Sequence, residues 1–201
     1  MGLLFALILL LVLAVVFFIT YPILSRKIIT KKYDVFCAKK IKTISTKNGY
    51  KFLTDLSLSS FNKLELGIDH IIFGKKYIYI LTNYMFDGDI KGASDNNSWI
   101  LKKSHNQGSE YIDNISLQLS EKRGVFSSKI AANPELIIPV AIVNNNCEIR
   151  VEGINNNSTF VIHYSSLKKL IKKLESRDVA NLDEEQVEIQ YQNIKNENEE
   201  K

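Results

Sequence analysis

The chain has 201 residues, 45% of them hydrophobic, and a formal net charge of +4, which is enough chain for one folded domain. Its two cysteines, Cys37 and Cys147, are too few to cross-link a secreted domain of this size, so we interpret both as reduced thiols. The sequence contains no glycine-rich phosphate loop, nucleophile elbow or Cys-x-x-Cys pair, so the enzyme classes that use these motifs have no support. A zinc site has no support either, because His70, His105 and His163 lack partners at zinc-ligand spacing.

The N-terminal segment is predicted to cross a membrane. Residues Leu3 to Leu24 carry no charge, and roughly 22 helical residues cover the ~30 Å hydrocarbon core. A cleaved signal peptide is the alternative, but no basic residue precedes the apolar run and no small-residue cleavage site follows it. Basic residues directly after the span predict that the rest of the chain is cytoplasmic. These residues are Arg26, Lys27, Lys31 and Lys32.

We therefore expect a single-pass protein of the cell membrane. Residues 1–25 are the predicted transmembrane anchor, and residues 26–32 are a basic juxtamembrane linker. The C-terminal domain is predicted to lie on the cytoplasmic side of the membrane.

Charge divides the rest of the chain. Residues 178–201 contain eight acidic and two basic residues and have a net charge of −6. Because the whole chain has a net charge of +4, residues 1–177 must carry +10. A basic domain beside an anionic membrane suits phosphate, either of nucleic acid or of lipid headgroups. Scattered lysines on a solvated surface are the alternative. The acidic tail, residues 178–201, is predicted to stay disordered or to form a loose helix, because it is too polar to bury a face.

The first element after the linker is predicted to be a helix. Apolar residues recur three apart along KYDVFCAKKIKTI with lysines between them, and Gly49 ends the pattern. The apolar residues are Val35, Ala38, Ile41 and Ile44.

Strands follow this helix. Phe52–Leu58 and LGIDHIIFG predict two strands, and a Gly-Lys-Lys turn leads to a third, YIYIL. Asp87-Gly88 then predicts a hairpin turn that continues the meander through DIKGASD and SWIL.

The C-terminal half adds helices and further strands. Glu110–Lys122 has helical apolar spacing, and Glu135–Val143 predicts a buried strand whose Pro139 indicates a bulge or a sheet edge. Cys147–Val151 and Thr159–His163 predict short strands, and SSLKKLIKKLE predicts an N-capped amphipathic helix. This order of elements is typical of an α/β domain.

The segment GIDHIIFGKKYIYILTNYMFDGDIKG, with Trp99-Ile100 after it, resembles the nuclease-related domain (NERD) family, a branch of the PD-(D/E)xK nuclease-like superfamily. The resemblance runs from Tyr33 to Glu175 and implies a restriction-endonuclease-like mixed sheet flanked by helices, here preceded by one transmembrane helix. We assign it to residues 33–177. The residues that match the family pattern are Asp69, His70, Gly88, Ile90, Gly92 and Trp99.

The resemblance places the family's catalytic positions at Asp69, Thr82 and Tyr84. The family carries Glu-x-Lys at the end of the strand that here reads YIYILTNY, so Thr82 replaces the metal-binding glutamate and Tyr84 the lysine. Residues i and i+2 share a strand face, so the geometry is retained without the chemistry. Loss of one transition-state-stabilising group typically costs about two to three orders of magnitude in rate. The resemblance therefore implies little or no cleavage and no cofactor.

Other acidic residues leave a second possibility open. Asp69 resembles the family's first metal-binding aspartate, although it could instead accept backbone amides or pair with a lysine. Asp34 aligns with a family glutamate on the first helix, and Glu110 falls near a family glutamine on the next helix; ordinary surface or helix-start acids would look the same. Asp87 and Asp89 could replace missing ligands, although Asp-Gly turns need no function to explain them.

Two functions follow from these residues. The first is a membrane-anchored, catalytically inactive NERD-like domain that binds nucleic acid or a protein partner at the cytoplasmic face, with anionic lipid as a further candidate partner. The second is an active metal-dependent nuclease with rearranged residues, in which Asp69, Asp34 and Glu110 would hold Mg²⁺ or Mn²⁺.

Overall fold

The computed structural model describes residues 10–12, 16–17, 32–54, 56, 67–104, 107–154 and 159–199. Most of the predicted transmembrane anchor and linker lies outside these residues. Within the described residues, no helix has the length and apolarity needed to cross a membrane. The chain divides into two compact units, Met1–Phe36 and Cys37–Lys201.

Groups of consecutive strands are separated by helices along the second unit, an order compatible with an α/β fold. Helix α1 covers the described residues 32–48, of which residues 37–48 belong to this unit. It is followed by β1 (Lys51–Thr54), β2 (His70–Phe73), β3 (Ile78–Tyr84), β4 (Gly88–Ala93), β5 (Ser98–Lys103), β6 (Ser109–Asp113), α2 (Ile115–Ile130), β7 (Ile137–Val143), β8 (Ile149–Glu152), β9 (Phe160–His163), α3 (Leu167–Glu175) and α4 (Glu184–Glu199).

The predicted first helix is present, but its buried stripe differs from the expected one. Val35 is 63% exposed, whereas Cys37, Ile41 and Ile44 are buried. Residues three apart drift around a helix of 3.6 residues per turn, so a stripe with mixed spacings of three and four stays on one side. The helix ends at Gly49, whose φ of 69° is a left-handed conformation that suits glycine.

The strands form two mixed sheets. The first sheet has the order β1-β2-β3-β7-β9, and the second has the order β6-β5-β4-β8. In each sheet an antiparallel group is extended by parallel pairs, β3 with β7 and β7 with β9 in the first, and β4 with β8 in the second. The α/β class is therefore confirmed, but the strands form two mixed sheets flanked by helices where one was predicted.

The turn at Asp87-Gly88 does not form the predicted hairpin. Strand β3 pairs with β2 and β7, whereas β4 pairs with β5 and β8. The turn therefore carries the chain from the first sheet to the second. A turn signal shows where a chain bends, but the sheet partner of the next strand depends on side chains far away in sequence.

The predicted edge position of Pro139 is also wrong. Strand β7 lies between β3 and β9 and is buried along its length. Strand β9 pairs with β7 only from Val140 onward, so Pro139 lies outside the hydrogen-bonded ladder on that side. A central strand therefore accommodates a proline where one neighbouring strand has not yet begun.

Helix α2 begins later than the spacing of Glu110–Lys122 predicts. Residues 109–113 form β6, and Asn114 caps the helix by accepting hydrogen bonds from the amides of Ser116 and Leu117 at 2.8 and 3.3 Å. Glu110 therefore lies on a strand and not at a helix start.

Two hydrophobic clusters pack against α2. The first core cluster joins the first sheet to the C-terminal half of α2, and the second joins its N-terminal half to both sheets. The first consists of Ile68, Ile71, Phe73, Ile78, Ile80, Phe126, Ile130, Ile137 and Ile194. The second consists of Ile90, Trp99, Leu101, Ile115, Leu119, Ala141, Val143, Cys147 and Val161.

The acidic tail is helical from Glu184 to Glu199, and this helix is packed against the core. Ile194 of α4 is 2% exposed and belongs to the first core cluster. Asp183 caps α4, Gln190 donates to the Ile130 carbonyl at 2.8 Å, and Glu197 pairs with Lys129 at 2.7 Å. A few apolar residues at helical spacing are enough to attach an otherwise polar segment to the core.

Candidate functional site

The candidate site lies where the C-terminal end of β3 faces α2. Thr82 and Tyr84 project from β3 on the same side as the buried Ile78 and Ile80. Asp69 directly precedes β2, and the register that pairs His70 with Leu81 places Asp69 opposite Thr82. The three positions that the family resemblance selects therefore come together on one face of the first sheet.

Asp69 is held in place by the backbone around it. Its Oδ2 accepts a hydrogen bond from the Asn83 amide at 2.7 Å, and its own amide donates to the Leu81 carbonyl at 3.0 Å. Such contacts fix the carboxylate in one orientation and satisfy part of its need for donors. The backbone contact proposed as an alternative for Asp69 is thus present.

A lysine from α2 enters this face. The Nζ atom of Lys122 donates to the Gly67 carbonyl at 2.8 Å and to the Thr82 hydroxyl at 3.3 Å. Gly67 has a φ of 52° and turns its carbonyl toward the lysine. Burial lowers the pKa of Lys122, and the nearby Asp69 carboxylate opposes this effect. A partly buried cation therefore lies against the position where the family carries a glutamate.

Tyr84 contacts a second residue of α2. Its hydroxyl donates to Oε1 of Gln118 at 3.1 Å, and Nε2 of Gln118 donates to Asp113 at 3.2 Å. Burial, followed by the charges of Asp69 and Asp113, raises the pKa of Tyr84 to about 12. The phenol therefore stays neutral at physiological pH and acts as a hydrogen-bond donor.

The opposite face of the same strands has a separate polar contact. His70 is 1% exposed, and its Nε2 lies 2.9 Å from Nδ2 of Asn83. Because Asn83 alternates with Thr82 and Tyr84 along β3, this pair lies on the far side of the sheet from the candidate site. His70 is thus a buried sheet residue.

The other predicted metal ligands have different surroundings. Glu110 is exposed on β6, and its carboxylate lies 2.5 Å from Nζ of Lys103. Asp89 of β4 accepts from the Glu148 amide at 3.2 Å, and Asp87 precedes the same strand. Asp34 is an exposed residue of α1 in the first unit, and its proposed role stays a prediction.

Close packing explains why glycines flank Ile90 in the second sheet. A Cβ atom at Gly92 would lie 2.6 Å from Cδ1 of the buried Trp99, whose Nε1 donates to the Ala93 carbonyl at 2.8 Å. A Cβ atom at Gly88 would lie 2.1 Å from the Lys102 carbonyl oxygen. Any side chain larger than hydrogen would force these groups apart.

These motif residues agree with the comparison to known families. The nuclease-related domain model matches residues 33–144, more than half of the chain and the region that contains the whole candidate site. The chain belongs to the nuclease-related domain family. Membership in this family indicates a function related to nucleic acid. Searches of curated proteins and of solved structures return no significant match.

The candidate site of this nuclease-related domain does not fit a divalent metal ion. Mg²⁺ prefers several oxygen ligands in octahedral geometry, usually including carboxylates. Here the position opposite Asp69 holds a hydroxyl whose neighbour is the Lys122 ammonium, and that charge repels a cation. Among the described residues, no group of three or more His, Cys, Asp or Glu could hold a metal ion.

Aromatic residues border the site. The rings of Tyr84 and Phe86 are stacked, with centroids 5.8 Å apart and planes 9° from parallel. They line a depression of about 360 Å³ together with Asp113, Gln118 and Tyr111, and Tyr111 is 80% exposed. Exposed aromatic surface beside a cation is suited to stacking with nucleic-acid bases.

Sequence reasoning missed Lys122 and Gln118. They are four residues apart and share one side of α2. The family resemblance implies a glutamine on this helix. The apolar spacing predicts a helix that begins too early, so Glu110 and not Gln118 is assigned to that position. With the helix start at Asn114, Gln118 is the glutamine that faces the candidate site.

Proposed function

We propose that this nuclease-related domain binds nucleic acid at the candidate site, without a metal and without cleaving it, at the cytoplasmic face of a membrane. The observation that carries the proposal is the Lys122 ammonium against the Thr82 hydroxyl, 3.3 Å away. In a metal-dependent nuclease a cation at this place neutralises phosphate charge. Here the lysine supplies that positive charge itself.

The lysine suits phosphate binding for two reasons. Partial burial strengthens its attraction to an anion, because solvent screens the interaction less. Its contacts with the Gly67 carbonyl and the Thr82 hydroxyl also orient the ammonium before a ligand arrives. A phosphate oxygen would then compete with Asp69 for the ammonium, and the bases could stack on the aromatic border.

Cleavage requires groups that this arrangement replaces. A nuclease must activate a water molecule and stabilise the charge that builds on the phosphate. Asp69 could accept a proton, but it is close enough to Lys122 for the two charges to interact. A lysine stabilises the charge that builds on the phosphate, but it does not activate the attacking water molecule, so it replaces only one of the two functions.

An assay of cleavage tests the absence of catalysis. The full chain is incubated with labelled linear, nicked and single-stranded DNA and with RNA, in Mg²⁺ or Mn²⁺, beside an Asp69→Ala control. We expect equal product from both proteins. Metal-dependent cleavage that is lost in Asp69→Ala would establish the alternative, an active nuclease with rearranged ligands, and Asp34, Asp87, Asp89 and Glu110 would be the first positions to test.

Attachment to the membrane is tested separately. The uncharged residues Leu3–Leu24 and the basic flank predict that protease added outside intact cells leaves residues 25–201 uncut. Digestion of that region would reverse the proposed orientation. Recovery of the full chain in the soluble fraction of lysed cells would remove the membrane from the proposal.

A further inference from the structure

Helix α3 carries a row of lysines on its outer side. Leu167, Ile171 and Leu174 are buried, while the four lysines are all exposed. Within the described part of the chain, none of the four ammonium groups forms a hydrogen bond or an ion pair. These residues, called the α3 lysine row below, are Lys168, Lys169, Lys172 and Lys173.

The acidic residue of α3 does not offset this charge. The Glu175 carboxylate turns inward, where it accepts from the amides of Lys75 and Lys76 at 3.0 and 3.2 Å and from the Tyr79 hydroxyl at 2.7 Å. These contacts use the carboxylate to close the turn between β2 and β3. The outward side of α3 is therefore purely cationic.

A groove runs between α3 and β9, the last strand of the first sheet. It has a volume of about 260 Å³, and its floor is apolar, formed by Phe160, Ile162 and Leu170. Lys169, Lys173 and Arg177 line its rim at intervals of four residues. An apolar floor with a cationic rim matches a ligand that joins an anionic group to hydrocarbon.

A contact between α1 and the segment before α3 fixes the chain distance from α3 back toward the predicted anchor. Lys40 of α1 donates to the Tyr164 carbonyl, and its Nζ lies 4.0 Å from the centroid of the Tyr164 ring, three residues before α3 begins. Sixteen residues separate Lys40 from the end of the apolar segment at Leu24. A fully extended chain of that length reaches about 55 Å, which is the upper limit on the distance between Lys40 and the end of the apolar segment.

We propose that the α3 lysine row and the groove beside it bind anionic phospholipid. The rim lysines contact the phosphate groups of the lipid, and the apolar floor receives the adjoining glycerol and the first part of an acyl chain. Each lysine close to an anionic membrane surface strengthens attachment about fivefold. This surface is distinct from the candidate nucleic-acid site, which lies on the side of the first sheet that faces α2.

The test measures the distance of α3 from the membrane. A fluorophore is attached to the full chain through Ser176→Cys, an exposed position, because Cys37 and Cys147 are buried and should not react. The protein is reconstituted with phosphatidylcholine vesicles, with or without phosphatidylglycerol, that carry a headgroup-linked acceptor dye. We expect greater energy transfer with phosphatidylglycerol. Lys169→Gln with Lys173→Gln should weaken the docked state roughly 25-fold.

A matched pair of variants separates the site from general charge. Lys75→Gln with Lys102→Gln removes the same charge from two exposed lysines outside the groove and should leave the energy transfer unchanged. Far-ultraviolet circular dichroism confirms that each variant is folded. Equal transfer with both lipids, or equal loss in both double variants, would overturn the proposal. Loss of nucleic-acid binding in the groove variant, with its lipid dependence intact, would assign this face to nucleic acid and also overturn it.

Discussion

At the candidate site, the ammonium of one lysine lies against Thr82, the position where the family carries its metal-binding glutamate. Lys122 combines partial burial, a hydrogen bond to the Thr82 hydroxyl and the nearby charge of Asp69. Burial lowers its pKa, which means that the folded protein holds the proton less tightly than the unfolded chain does. Its positive charge should thus be lost at a lower pH than that of an exposed lysine.

Replacement of Lys122 tests its contribution to binding. For Lys122→Gln we expect nucleic-acid affinity to fall about tenfold or more, because a hydrogen bond to a charged group contributes ~1.5–3 kcal/mol. The effect should shrink as pH rises toward 10.5, since the wild-type lysine then loses its proton as well. Titrations of labelled DNA monitored by fluorescence anisotropy measure both effects. Lys102→Gln, at an exposed position on β5, is the control, and an equal loss in both variants would contradict the assignment.

The same variant has a predicted effect on stability. A lysine whose folded pKa is lowered destabilises the native state while it is protonated, and stability rises as pH increases through that pKa. The stability of Lys122→Gln should therefore lack this rise with pH. The free energy of unfolding of wild type should rise relative to that of the variant as the solution becomes more alkaline. Urea unfolding at several pH values measures this difference, and an equal dependence of stability on pH in both proteins would contradict it.

A carboxylate placed beside Lys122 should abolish the contribution of this lysine to phosphate binding. Thr82→Glu puts a negative charge next to Nζ of Lys122, whose present distance from the Thr82 hydroxyl is 3.3 Å. We expect binding of nucleic acid in the presence of a chelator to fall as far as in Lys122→Gln, because the new ion pair neutralises the ammonium. Thr43→Glu, an exposed position on α1, provides the same charge change elsewhere. Unchanged affinity in Thr82→Glu would show that phosphate binds at another place.

At the scale of elements, α4 shows how a short apolar stripe fixes an acidic segment. Ile194 packs with residues of β2, β3, α2 and β7 in the first core cluster, and Gln190 and Glu197 add polar contacts to α2. Removal of the acidic tail would therefore expose part of the core. It would not be a neutral way to change the charge of the protein.

Two isoleucines of α4 provide a matched test. Ile194→Ala should lower the free energy of unfolding by about 2–5 kcal/mol, because it leaves a cavity in a packed core. Ile189→Ala should change it by less than about 0.5 kcal/mol, since Ile189 is 44% exposed on the same helix. Chemical denaturation gives both values. A loose tail would give two equally small effects.

Two glycines test the packing of the second sheet in the same way. Gly92→Ala should destabilise the fold by about 1–3 kcal/mol, because the added methyl group would collide with the buried Trp99. Gly124→Ala in the middle of α2 should stabilise it by about 0.5–1 kcal/mol, since alanine favours helix and, among the described residues, no atom outside the backbone of this helix lies within 4 Å of the added Cβ. In thermal unfolding, Tm should fall for Gly92→Ala and rise for Gly124→Ala. A change of Tm in the same direction for both variants would contradict this account.

At the scale of the whole molecule, local features were predictable and distant contacts were not. The shared face of Thr82 and Tyr84 follows from strand periodicity, and the turn at Gly49 follows from its glycine. The contact between Lys122 and Thr82 joins residues 40 positions apart, and it depends on where α2 begins. Ile112 continues the apolar spacing of α2 although it lies on β6, so periodicity alone placed that start too early.

The division into two sheets shows the same limit. The Asp87-Gly88 turn was visible, but whether β4 pairs with β3 or with β5 and β8 depends on Trp99 and on Cys147 of the second core cluster. Those side chains lie up to 60 residues from the turn along the chain. Pairing of this kind is decided by the packing of the complete core and not by local propensity.

The most direct test of the central claim is the affinity of the full chain for DNA in chelator and in Mg²⁺. If Lys122 supplies the positive charge that binds phosphate, affinity should be undiminished in chelator and should decline steeply as monovalent salt rises, because phosphate contacts release counterions. Mg²⁺ should weaken binding slightly by competing for the DNA. Binding that requires Mg²⁺ and disappears in chelator would contradict the account and restore a metal to this site.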